Sequence, residues 1–129
     1  KPVIRKDQAN WAENKLKTLS LEQKIAQFFM VAVYSSDAEK ELAETERLVK
    51  ELKIGGLIFF QGDRKDLKSA VSRFQSVAEV PLLIGMDAEW GMGMRLDDAF
   101  SFPFNMTLGA IKDDSLVYEV GKSTDGYQI

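Results

Sequence analysis

Leu57 to Met86 reads LIFFQGDRKDLKSAVSRFQSVAEVPLLIGM, and this stretch decides the fold. It opens on Leu57-Ile58-Phe59-Phe60, a short continuous apolar run that predicts a buried strand. Leu67, Ala70, Val71, Phe74 and Val77 then recur at helical spacing. Pro81 marks entry to a second apolar run, Leu82-Leu83-Ile84-Gly85-Met86. Strand, helix and strand with short links make a βαβ unit, and its runs are continuous rather than alternating. That pattern predicts parallel strands in a sheet covered on both faces.

The same rhythm extends toward the N-terminus. Ala38, Leu42, Thr45, Val49 and Leu52 form one stripe of a helix expected over Asp37 to Lys53, which Gly55-Gly56 should end. Before it, Met30-Val31-Ala32-Val33-Tyr34 predicts another buried strand. Ser20 and Gln23 have capping-box spacing and open a helix whose apolar side is expected from Ile25, Phe28 and Phe29. Asp7 to Leu19 suits a short surface helix, and Asp113 to Gly121 begins another. The fold class is α/β with about three βα units. The pattern alone does not separate a barrel from a doubly wound open sheet.

Composition narrows the function. The chain has 129 residues, 45% hydrophobic and 29% charged, which are values of a folded domain. Its net charge is −3 with the signs interspersed, so no basic stripe offers itself to nucleic acid. Cysteine and histidine are both absent, which removes thiolate chemistry and the commonest general base and zinc ligand. The longest apolar run, Phe28 to Tyr34, is too short to span a bilayer. The chain opens on Lys1 rather than Met, which suggests a processed start, and leaves the compartment open.

In α/β proteins of either kind, ligands bind beyond the carboxyl ends of the strands. The richest such end here is Asp87-Ala88-Glu89-Trp90-Gly91, opening an irregular stretch that runs to Pro103. On an extended backbone Asp87 and Glu89 would point to the same side. Trp90 adds an aromatic plane and Arg95 a five-donor fork, a set suited to the hydroxyls and C–H faces of a carbohydrate. Plainer roles compete with each. Asp87 could cap the turn, Arg95 could pair with Asp97 or Asp98, and Trp90 could be wall. Gly91-Met92-Gly93 lacks the third glycine of a dinucleotide fingerprint. The methionines at 86, 92, 94 and 106 are expected to pack.

Four blocks carry a more specific signal. They are SLEQKIAQFFM (20 to 30), IGGLIFF (54 to 60), PLLIGMDAEWG (81 to 91) and FPFNMTLGA (102 to 110). In order and spacing they resemble glycoside hydrolase family 3, most of all its β-N-acetylhexosaminidase branch. The resemblance implies the first part of a (β/α)₈ TIM-type barrel with parallel strands, no cofactor, and retaining cleavage of a β-linked sugar. It implies that Asp87 and Arg95 bind sugar, with Glu89 and Trp90 beside them as further substrate-binding candidates. It also implies that the acid/base and nucleophile of the family lie beyond this chain, leaving no catalytic residue here. Phe104 stands where the family usually has arginine.

The resulting division is an N-terminal helical extension over 1–19, a partial barrel over 20–121, and a divergent tail over 122–129, expected of a piece of a longer chain. Val33, Ile58 and Ile84 are expected to point into the barrel interior. A face so left bare predicts an oligomer, or association with the remainder of the barrel. A small stand-alone binding or interaction module is the competing reading.

Overall fold

The computed structural model describes residues 6–125. Its elements run α1 (Lys6–Thr18), α2 (Leu21–Ala26), β1 (Met30–Tyr34), α3 (Glu39–Arg47), β2 (Gly56–Phe60), α4 (Arg64–Val77), β3 (Leu83–Met86), α5 (Asn105–Gly109) and α6 (Asp114–Asp125). Leu48–Leu52 extends α3 as a π-helical turn, and Met92–Met94 forms a 3₁₀ turn. The strands make one parallel sheet in the order β1-β2-β3. The sequence predicts α1, α2, α3, α4 and α6, whereas the short α5 was not expected. The Ser20–Gln23 capping box is present, with both reciprocal hydrogen bonds made.

Two glycines work differently from the expectation. The helix before β2 ends on Lys53, a non-glycine residue in the left-handed region at φ 56°. Gly55 is needed for close approach instead, because a Cβ there would lie 1.9 Å from the Gln27 carbonyl oxygen. Backbone bonds from Gly55 N–H to Ala26 O and from Leu83 N–H to Gly55 O tie α2, β2 and β3 together at this point.

Side chains alternate along a strand, so the register sorts them into two faces. Val31, Val33, Leu57, Phe59, Ile84 and Met86 share the face covered by α3 and α4. Val33, Leu57 and Phe59 are buried there with Val49, Leu67, Ala70 and Phe74. Complete burial of each large side chain contributes roughly 1.5–3 kcal/mol.

Met30, Ala32, Tyr34, Ile58, Phe60 and Leu83 occupy the other face. No helix among the described residues covers it, and Leu83 is 67% exposed. The sheet is thus covered on one face, not two. Its open face is the kind that barrel closure fills with residues from the other strands. Val33 and Ile84 lie on the helix side, and only Ile58 of the three expected inward residues is on the open face. The reason is parity: Val33 and Ile84 stand an odd number of places from the open-face positions of their own strands.

Three further expectations are corrected. α2 stops at Ala26, leaving Ile25, Phe28 and Phe29 exposed rather than forming a buried side. Of the methionines expected to pack, Met106 is 89% exposed. Ala38 and Leu52, at the two ends of the α3 stripe, are also exposed, while Thr45 and Val49 between them are buried. Among the described residues no helix is long and apolar enough to cross a membrane.

Candidate functional site

The loops leaving the three strands converge at one end of the sheet. Ser35, just past β1, is buried, and both its N–H and its hydroxyl donate to Gln61 O past β2, at 3.2 and 3.1 Å. Gly62 follows at φ 145°, where a Cβ would collide with Ser35 Oγ. Gly62 then bridges to the third loop in parallel fashion: its N–H donates to Arg95 O, and Asp97 N–H donates to Gly62 O. Leu96 between them is buried in the core. Asp98 closes the zipper by accepting from the Arg64 main chain at 3.0 Å and from Arg64 Nε at 2.9 Å, beside the start of α4. That salt bridge and the main-chain bond hold the Asp98 carboxyl below its ordinary pKa, the Arg64 side-chain hydrogen bond contributing most.

This zipper delivers Arg95 to Asp87. Arg95 Nε donates to the Asp87 carbonyl at 2.7 Å, and Nη2 donates to the Asp87 carboxylate at 3.0 Å. The guanidinium lies over the Phe60 ring, 4.8 Å from its centroid, and Phe60 packs beside Tyr34 at 5.7 Å. Asp87 is one residue beyond β3, and Arg95, which bonds to it, also lies over Phe60, so the pair sits at the edge of the open face that holds Phe60 and Tyr34. Arg95 is mostly buried, its side chain 16% exposed, whereas that of Asp87 is 44% exposed. The fork is fixed and the carboxylate still meets solvent. Arg95 therefore pairs with Asp87, not with Asp97 or Asp98.

Glu89 and Trp90 sit elsewhere. The extended backbone ends at Met86 and turns at Glu89–Trp90, so strand alternation does not carry Glu89 to the side of Asp87. Together with Phe102, Leu108, Val117 and Val120 they line a neighbouring hollow of about 500 Å³. Trp90 meets Phe104 edge-on, with ring centroids 4.9 Å apart. Gly91 at φ 94° turns the chain where a Cβ would strike the Phe102 ring. The four candidate residues thus form two groups, a bonded Asp87–Arg95 pair and a Glu89–Trp90 wall. Tyr34 and Phe60 complete the first group and were not singled out in the sequence. Only the register of β1 against β2, which sets Tyr34 opposite Phe60, brings them together. Among the described residues no group of three or more carboxylates, histidines or cysteines could hold a metal ion.

A parallel sheet in sequence order with helices on one face defines a segment of a (β/α) barrel, and the charged pair lies past a strand's carboxyl end, the end at which such barrels carry their sites. The profile of the glycosyl hydrolase family 3 N terminal domain matches residues 20–126, and the chain belongs to that family. A relative from Cellulomonas fimi, described as a beta-N-acetylglucosaminidase/beta-glucosidase, is 30% identical over 100 residues. The match takes in 78% of this chain and 17% of that protein. Among solved structures, the beta-glucoside phosphorylase BglX bound to 2FGlc superposes with a TM-score of 0.71 at 20% identity, over 92% of this chain and 21% of that one. This chain therefore spans about a fifth of the length of each, and the superposition bears on fold alone.

Proposed function

We propose that this chain forms the sugar-holding part of a β-glycosidase subsite, with Asp87 accepting from sugar hydroxyls and Arg95 orienting it. One observation carries the reading: the half-exposed Asp87 carboxylate is held by a buried guanidinium at the carboxyl end of β3. A carboxylate can accept from two neighbouring hydroxyls at once, and a fixed one loses little freedom on binding. The Cellulomonas fimi relative's description supports a β-linked gluco-configured sugar, N-acetylglucosamine included. Glu89 and Trp90 would contribute a wall one turn away.

In this reading the chain binds and does not cleave. Retaining hydrolysis needs two carboxyl groups about 5–5.5 Å apart, one as nucleophile and one as acid. The Asp87 carboxyl accepts a hydrogen bond from Arg95, which suits a binding role, and histidine is absent from the sequence. The division into an extension over 1–19, a barrel segment over 20–121 and a tail over 122–129 belongs to the same proposal.

The test is an NMR titration of the chain with N-acetylglucosamine and with glucose, alongside an assay with 4-nitrophenyl N-acetyl-β-D-glucosaminide. Shifts confined to residues near Asp87 and Arg95, abolished by Asp87→Asn, with no nitrophenol released, are expected. Turnover that disappears with substitution of Asp87 or Glu89 would refute the binding-only role. Shifts untouched by Asp87→Asn would refute the site.

A further inference from the structure

We infer that Phe60 is a positioning residue for the sugar-binding pair, acting through Arg95. Its functional meaning rests on the reading of Asp87 and Arg95 given above, but its geometry is independent of it. Arg95 has two hydrogen-bonding anchors, the carbonyl and the carboxylate of Asp87, both on one edge of its fork. Two bonds on one edge leave the guanidinium free to swing out of the carboxylate plane. The Phe60 ring removes that freedom by lying under the guanidinium carbon at 4.8 Å. A cation over an aromatic face is held by the ring's quadrupole, more strongly where water is excluded, and Arg95 is mostly buried.

Phe60 is itself fixed. It ends β2, and the register sets it opposite Tyr34 on the same face, with the two rings tilted by 32°. The next residues, Gln61 and Gly62, are locked to Ser35 and Arg95 through the loop zipper. The row Tyr34, Phe60, Arg95 and Asp87 therefore crosses the ends of all three strands, and Phe60 links its apolar half to its charged half. An aliphatic residue at 60 would fill the space without a quadrupole, whereas tyrosine would keep the face.

The experiment follows the Arg95 Nε–H signal in ¹⁵N-labelled full chain, assigned by its disappearance in Arg95→Lys. In the unsubstituted protein it should be displaced upfield by the ring and slow to exchange with water. Phe60→Leu should abolish the displacement and speed the exchange, and Phe60→Tyr should restore both. An Arg95 signal at its ordinary position in the unsubstituted protein would overturn the inference whether or not any variant folds. So would Phe60→Leu leaving the signal unchanged, or Phe60→Tyr behaving like Phe60→Leu. The sugar titration is read separately. Loss of binding in Phe60→Leu with rescue in Phe60→Tyr extends the role to ligand. A chain that binds no sugar while its Arg95 signal behaves as expected overturns the subsite and leaves the positioning standing.

Discussion

A double-mutant cycle on Asp87 and Arg95 measures how firmly the site is built before any ligand arrives. Asp87→Ala removes the carboxylate but leaves the main-chain carbonyl that accepts from Arg95 Nε at 2.7 Å. What is lost is one charge-assisted hydrogen bond of 3.0 Å to a mostly buried guanidinium. Hydrogen bonds to charged groups are worth about 1.5–3 kcal/mol, and fully exposed ion pairs about 0–1 kcal/mol. With one partner mostly buried and the other nearly half exposed, the coupling should fall between these ranges, at about 1–2 kcal/mol.

Arg95→Met keeps the stem's packing. It loses the carboxylate bond, the main-chain bond of about 1 kcal/mol and the ring contact of about 0.5–2 kcal/mol. The single variant should cost about 2.5–5 kcal/mol by the same principles, and the double variant should cost less than the sum by the coupling. Urea denaturation supplies the four stabilities, provided the slope stays constant across the set. Glu119 and Lys122 make the control, since both are well exposed and 3.5 Å apart. Their coupling should be near zero. A coupling of Asp87 and Arg95 below about 0.3 kcal/mol, the usual error of additivity, would refute preorganisation of the pair.

Other expectations follow from the packing and charges. Gly55→Ala puts a methyl group 1.9 Å from a backbone oxygen that cannot yield easily, and should cost at least about 1–3 kcal/mol. Gly109→Ala, with nothing within 4 Å, should instead stabilise by about 0.4–1 kcal/mol. Urea midpoints check both. Arg73 donates to Glu39 and Glu46; its hydrogen bond holds the Glu39 carboxyl below the ordinary 4.5, and hydrogen bonds from Lys50 first and Arg73 second do the same for Glu46. Folded values below unfolded ones mean the stabilisation is complete above that pH and is lost as pH falls through the lower folded values. Arg73→Gln should flatten the acid limb of stability against pH, and an unchanged limb would contradict the pairing. The bare face bearing Met30, Ala32 and Leu83 should drive association, seen as concentration-dependent mass in sedimentation equilibrium. A dilute monomer that melts cooperatively and binds no hydrophobic dye would show that this face needs no cover.

What the sequence disclosed and what it concealed share one physical origin. Continuous apolar runs identified β1, β2 and β3, and the strand-end rule pointed to Asp87, because both depend only on local composition and order. The faces were hidden because a run such as Leu57-Ile58-Phe59-Phe60 is apolar at every position and carries no period-two signal. Only the register distinguishes Leu57 and Phe59, in the core, from Ile58 and Phe60, on the open side. The bond between Asp87 and Arg95 was hidden for another reason. It depends on a 3₁₀ turn and on a bridge from Gly62 to Leu96, contacts between residues far apart in the chain.

One side chain then joins the two concealed features. Arg95 joins Asp87 to Phe60, and the register puts Phe60 and Tyr34 on the uncovered face. The candidate sugar site is therefore the upper margin of the surface that the described residues leave bare. On the proposed reading, an element that covered Ile58 and Leu83 would also run up beside Tyr34 and Asp87 and face the site. Closing the sheet and completing the subsite would then be one event. Sugar affinity and association should accordingly rise together, and a variant that disrupts Leu83 on the bare face should weaken both without touching Asp87.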